Sequence, residues 1–541
     1  MNKKILQVAV ATAMGTVAGA AMAFNPTLNP PAYTIYMAGS TAATNTWREF
    51  TIQSICDTSG TYPIDVYRRS GSGGFGNDWA VACHINTATG AAGKDVLILK
   101  RDNGGSGYGV TPVTNAVAAD VMKIEVGTGK NCDDSLNPPT TQTTSGGTSY
   151  TQHVCGAANV SGMIPDIGFS DVEPGMFRGI NNPGGGLPDF NPNNVVGSPT
   201  VKPIGALVFG VPMTLKLRNA LQAVQFDKTT SHCNPLNAHY GDDSDPVTAG
   251  IQPYSETQEC MPNVSNTEMR SLYTGVVGKW DSYMVKDPSN PTGPLIKLAS
   301  HPDVAGFLPA DNKVEICRRV PGSGTQTQSS AIFLNAPCDP NSLPPASSSN
   351  GLAGPIVALN SGSGDVEKCL DDFNNGTNNS TQNSTLTTRW GIGLQSTEFN
   401  AGLGKAYRFV KVDGYAPTIQ SVAAGHYYDF AELTEQWRTD INTMYNASST
   451  ADKNDTLTIA NYIATNAHTP AVLAHLNLGY VHPFGQGGWL AIPSSTQSPS
   501  NPFVISNPVN SSTRAPGGRS PNTCQMPVVV KPNAVQVDSS F

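Results

Sequence analysis

Hydrophobic positions in this chain fall into short runs, some alternating and some one-sided, set between long polar, glycine-rich segments. Tyr33 to Met37 alternates as a strand and runs into Gly39-Ser40-Thr41. Ala42 to Ile55 carries Trp47, Phe50 and Ile55 along one side, the spacing of a helix. Ile64 to Tyr67 predicts a second short strand, which ends in Arg69-Ser70-Gly71-Ser72-Gly73-Gly74. Strand, small-residue turn, helix, strand and a second such turn is the opening of an α/β sheet. In open α/β sheets ligands sit beyond the carboxyl ends of the strands, where both turns fall.

Further along, Asp166 to Asp171 predicts a strand that delivers a carboxylate at its tip, and Pro203 to Met213 an apolar strand crossing between lobes. Helices are expected over Asn266 to Tyr273 and Gln326 to Leu334, and a buried strand over Trp390 to Leu394. Ser421 to Phe430 reads as a strand, with helices over Ala431 to Tyr445 and Leu457 to Ala467. The polar stretches 85–160, 228–262 and 335–388 read as insertions, and the Pro/Ser/Asn-rich tail after Pro493 as surface wrapping.

The amino terminus changes the setting. Lys3 and Lys4 precede an apolar run from Ile5 to Ala20, and Ala21-Met22-Ala23 is a small-residue cleavage site, so 1–23 reads as an export signal. No cysteine stands at the junction to carry a lipid, and no later apolar run approaches the ~20 residues that span a bilayer. The expected product is not membrane-spanning and is periplasmic or secreted. Ten cysteines fit that compartment, where disulfides persist. Their order suggests local pairs, Cys56 with Cys83, Cys132 with Cys155, Cys233 with Cys260 and Cys338 with Cys369, leaving Cys317 and Cys524 as a long-range pair. A net charge of −8 argues against nucleic acid or an anionic membrane as partner.

The richest chemistry lies in Arg319-Val320-Pro321-Gly322-Ser323-Gly324-Thr325. A guanidinium precedes a Ser-Gly-Thr step that opens a helix-like run. Helix starts offer unpaired N–H groups and a positive dipole end, glycine lets the backbone approach closely, and the hydroxyls of Ser323 and Thr325 donate. Such a segment suits an oxyanion, although it also reads as a turn and helix cap. No Cys/His cluster has metal-site spacing; Asp242, Asp243 and Asp245 lack the spacing of an EF-hand loop. His468, His475 and His482 fall in surface or packing roles.

Taken in order, four segments resemble the phosphate-binding proteins of bacterial ABC uptake systems, two-lobed periplasmic solute-binding proteins. Ala38-Gly39-Ser40-Thr41 is similar to that family's first turn, Ser70-Gly71-Ser72-Gly73-Gly74 to its second, Asp166 to Asp171 to its ligand-Asp strand, and Arg319 to Thr325 to its Arg-x-x-x-Ser-Gly-Thr loop. Leu272-Tyr273-Thr274-Gly275 with Trp280, and Gly362 to Cys369 before Ile392-Gly393-Leu394, agree as well. The resemblance implies a type II, Venus-flytrap α/β fold with a ligand cleft between lobes and disulfide-stapled loop insertions. On it, lobe 1 spans 24–205, lobe 2 spans 206–420, and 421–541 returns to lobe 1 and adds the tail. The implied phosphate ligands are Thr41, Ser70 or Ser72, Asp171, Arg319, Ser323, Gly324 and Thr325, without metal or cofactor. The function implied is non-catalytic binding of phosphate or a similar oxyanion, feeding an ABC transporter permease. The chain departs from the family in its length, in a glycine replacing one serine of the second turn, and in the added cations Arg68 and Arg69. Those departures keep open a secreted surface or matrix protein on the same fold. A secreted phosphatase is disfavoured, because no metal cluster, Gly-x-Ser-x-Gly elbow or Ser/His/Asp set stands out.

Overall fold

A computed structural model describes residues 25–70, 78–177, 179–182, 187–242, 253–334 and 354–491, with three short strands in the tail. The export signal, Ser72, Cys338 and Cys524 lie outside the described residues. Two separate sheets build an α/β protein of two lobes.

The first lobe is an 11-stranded sheet. Its centre is β1 (Tyr33–Gly39), whose path leads through α1 (Thr44–Phe50) to the hairpin of β2 (Asp65–Arg69) and β3 (Asp78–His84), then to β4 (Asp95–Arg101). β4 lies parallel to β1, with Met37 opposite Lys100. From β4 the chain enters α2 (Ser106–Thr114), makes β5 (Thr140–Thr143) and β6 (Ser149–Cys155), and returns as β7 (Ile167–Ser170) on the other side of β1. The helices cover opposite faces. Trp47 of α1 stacks on Phe169 within one core, whereas α2 lies so close to the other face that a Cβ on Gly168 would meet the Gly109 carbonyl at 1.8 Å.

β8 (Pro199–Gly210) runs along this sheet, and two residues later β9 (Pro212–Thr214) belongs to the second, five-stranded sheet. There α3 (Leu215–Gln225) and α4 (Asn266–Tyr273) pack on a core around Trp280, Trp390 and Ile392. β10 (Asp311–Arg319) leads into α5 (Gly324–Leu334), and β11 (Ile356–Asn360) into α6 (Ser363–Asn375), then β12 (Arg389–Gly393). β10, β11 and β12 are mutually parallel where they pair, with β10 in the middle. β13 (Gln395–Ser396) touches β8 of the first sheet, β14 (Tyr407–Phe409) is back in the second, and α7 (Ile419–Ala424) precedes β15 (Phe430–Arg438). β15 lies between β7 and β8, α8 (Thr450–Asn466) packs on the lobe-1 core, and β16 (Trp489–Leu490) pairs with β8.

Four expectations change. The stretch 85–160 does not read as one insertion, since it begins with β4, immediate neighbour of β1. Residues 356–375 likewise hold β11 and α6, integral to the second lobe. The order over 419–438 is helix then strand, the reverse of the expectation, because Ala431, Leu433 and Trp437 alternate into the lobe-1 core. Three local disulfides form as their order suggests; Cys369, however, joins Cys317, which places one on β10 and the other on the α6 that packs against it. No helix among the described residues is long and apolar enough to cross a membrane.

Candidate functional site

The carboxyl ends of β1, β4 and β7 in one lobe meet those of β10 and β11 in the other. Helices α1, α2, α5 and α6 begin there, so several N-terminal dipole ends gather around one place. Small residues allow the approach. Gly39 has φ +95°, and Ser40 follows at φ +34°, a left-handed conformation that a side chain seldom adopts.

Asp171, one residue beyond β7, is buried. Its carboxylate accepts from the Ser40 hydroxyl and from Thr325 Oγ1 at 3.3 Å, and its backbone N–H donates to Ser106 Oγ at 3.0 Å. Burial pushes its carboxyl above the ordinary range, while the Ser40 hydroxyl and the Arg319 charge pull the other way. Arg319, at the tip of β10, is equally enclosed. It donates to Thr41 Oγ1 at 2.7 Å, Ser361 O at 2.9 Å, Asn360 O at 3.2 Å and Ser363 Oγ at 3.3 Å. Burial lowers the guanidinium to about 10, with Asp171, Asp365 and Asp102 opposing, so it stays charged at neutral pH. Asp171 and Arg319 therefore hold adjacent residues, Ser40 and Thr41, from different lobes.

Of the sequence-predicted residues, Thr41, Asp171, Arg319, Gly324 and Thr325 come together here. Gly324 leaves no room for a side chain: a Cβ would stand 2.5 Å from Ser106 Oγ and 2.7 Å from Asp171 Cβ. Ser323 is beside them and buried, its Oγ accepting from the Gln326 N–H at 3.3 Å, a helix cap. Ser70 does not join the group. It is exposed at the end of β2, its N–H bonded to Cys155 O at 2.7 Å, and β4 and β3 stand between β2 and β1. Three strand spacings, about 14 Å, separate the two strands. Arg69 beside it pairs with Asp78 at 2.7 Å.

The residues that sequence reasoning missed are Ser40, Ser106, Ser361 and Ser363. Ser106 had a readable signal. Val96-Leu97-Ile98-Leu99 is an apolar run followed by Asn103-Gly104-Gly105-Ser106-Gly107, a strand and small-residue turn like the first.

Two backbone bonds join the lobes beside the site. The Gly107 N–H donates to Gly322 O at 2.8 Å, and the Gly322 N–H donates to Asn181 O at 3.0 Å. Among the described residues no cluster of His, Cys, Asp and Glu is arranged to hold a metal.

Fold and site together define a two-lobed α/β protein with an enclosed, hydroxyl-rich polar centre built from both lobes. No family model matches the sequence, and no curated protein does. Among solved structures, a protein from Clostridium perfringens, assigned as a phosphate ABC transporter substrate-binding protein and solved with bound phosphate, aligns over 83% of this chain and 98% of its own, at 10% identity and TM-score 0.36. An ABC-type phosphate transport receptor from Vibrio cholerae aligns over 55% and 74%, at 8% identity and TM-score 0.25. A phosphate-binding protein from Stenotrophomonas maltophilia aligns over 52% and 67%, at 11% identity and TM-score 0.25.

Proposed function

We propose that this is an exported, non-catalytic receptor that encloses inorganic phosphate between its lobes and presents it to an ABC-type permease. The observation that carries the reading is the pairing of Asp171 and Arg319 across one turn, an acceptor and a permanent donor fixed on Ser40 and Thr41. A phosphate entering a dry cleft loses its hydration, and fixed hydroxyls, N–H groups and a guanidinium replace it. A buried carboxylate beside an anion gives discrimination. Phosphate near neutral pH retains a proton that Asp171 accepts, whereas sulfate has none and would set two like charges together. Thr325 and Ser106 would add donors from each lobe, and the helix N-termini favour the negative charge.

Titration calorimetry on protein stripped of bound ion tests this, with phosphate, arsenate and sulfate. Phosphate and arsenate should bind and sulfate should bind far more weakly. Phosphate at ~100 times its dissociation constant should also stabilise the fold against heat by about 2.7 kcal/mol. Absence of both heat and thermal shift at millimolar phosphate would refute the reading.

A further inference from the structure

Behind the Gly39–Thr44 turn lies a second pair of charges that no part of the binding argument uses. Lys100, on β4 beside β1, is wholly buried, a setting lysine almost never occupies without a partner. Its Nζ donates to the Gly39 carbonyl and to Asp102 Oδ1. Asp102, two residues on, is also buried and accepts at Oδ2 from the Thr44 hydroxyl and from Trp79 Nε1 at 3.0 Å. The chain of contacts thus runs from Gly39, the residue that enters the turn, through Lys100 and Asp102 to Thr44, the first residue of α1. Both ends of the turn bearing Ser40 and Thr41 are tied to the tip of one neighbouring strand.

We infer that Lys100 and Asp102 form a buried bracket that fixes the shape of the Gly39–Thr44 turn and sets, as a pair, the charge that an anion meets behind it. The inference rests on the proposed oxyanion function. The bracket explains how Ser40 keeps its left-handed backbone conformation, which local preference opposes. It also explains why a lysine without access to ligand or solvent stands here. Placed on the ligand side, an ammonium would hold any anion, sulfate included. Placed behind the turn and matched by Asp102, it orients the Gly39 carbonyl away from the cleft and leaves selection to Asp171. The other charges acting on the pair are Asp78 on β3 and Arg319 from the opposite lobe. Burial raises the Asp102 carboxyl to about 6 even with Lys100 beside it, so without the ammonium it would hold its proton at still higher pH.

The test is phosphate titration of the full chain and three variants, each affinity expressed relative to the parent at the same pH so that phosphate's own titration cancels. Across a pH 5.5–9.5 series Lys100→Met should weaken phosphate progressively as pH rises, at least tenfold at the alkaline end where the isolated Asp102 ionises near the ligand, and least at pH 5.5 where it holds its proton. Adding Asp102→Asn to Lys100→Met should abolish that pH difference. Asp102→Asn alone leaves the ammonium unmatched and should tighten phosphate and sulfate together severalfold. A merely structural pair would lower the melting temperature of these variants while leaving their relative affinities flat with pH, and that result overturns the inference. Should Lys100→Met fail to fold, an unchanged affinity in Asp102→Asn overturns it as well. Failure of the parent itself to bind phosphate would instead refute the function on which the inference rests.

Discussion

Two small-residue segments of the first lobe look alike in sequence, but the strands that lead into them hold different places in the sheet. Ser70-Gly71-Ser72-Gly73-Gly74 follows β2 in the sequence, and Asn103-Gly104-Gly105-Ser106-Gly107 follows β4; each is a small-residue segment after a strand. The first resembles a phosphate-binding turn more closely. Only β4, which leads into the second, adjoins β1; β4 and β3 stand between β1 and β2. The lesson is that such a turn acquires chemistry from its neighbours in the sheet. Composition alone does not supply it.

Substitutions can break that comparison. Arg319→Ala should have the largest effect, weakening every oxyanion by about 2–5 kcal/mol in calorimetry, since it removes the shared cation and leaves Asp171 buried without it. Asp171→Asn comes next. Phosphate selectivity over sulfate should fall by about 3 kcal/mol, because the like-charge repulsion is gone while shape is kept. Selectivity unchanged from the parent would end the proposed role of Asp171, whatever the fold.

The decisive pair is Ser106→Ala against Ser70→Ala. The first removes a hydroxyl held by the Asp171 N–H and should cost about 1 kcal/mol of phosphate affinity. The second should cost nothing measurable. Equal losses would mean that the sheet order does not govern the site.

The smallest effect concerns the hairpin region itself. His153 on β6 lies between Asp65 on β2 and Asp134, at 3.0 and 2.9 Å. Burial opposes its charge, but the two carboxylates outweigh that and raise its pKa above the ordinary value. A raised folded-state pKa contributes stability that is fully present below the unfolded value, ~6.5, and is lost as pH rises through the folded one. His153→Gln should flatten that part of the stability profile, read by denaturant unfolding across pH 5.5–8.5, without altering phosphate affinity.

These contrasts show what could be read from residues alone. β1, the Asp171 strand and the Arg319-to-α5 junction were legible because each pairs a short apolar run with its own turn, a local signal. The place of β4 was not, since strand order is a long-range property and the polar residues around it resemble an insertion. β15 misled for another reason. A central strand with Glu432, Glu435 and Gln436 among its apolar residues looks like an amphipathic helix until both faces are seen covered. The Cys317–Cys369 bridge was hidden similarly, because it depends on α6 folding back over β10.

The peptide groups of Gly322 give the molecule a sense of time. Its carbonyl is held by Gly107 and its N–H by Asn181, both from the opposite lobe, and its φ of +90° suits glycine alone. Separating the lobes at this point breaks both bonds at one residue. On the proposed function, release of a captured ion waits on these two bonds together with the Arg319–Thr41 and Thr325–Asp171 contacts that also cross between the lobes.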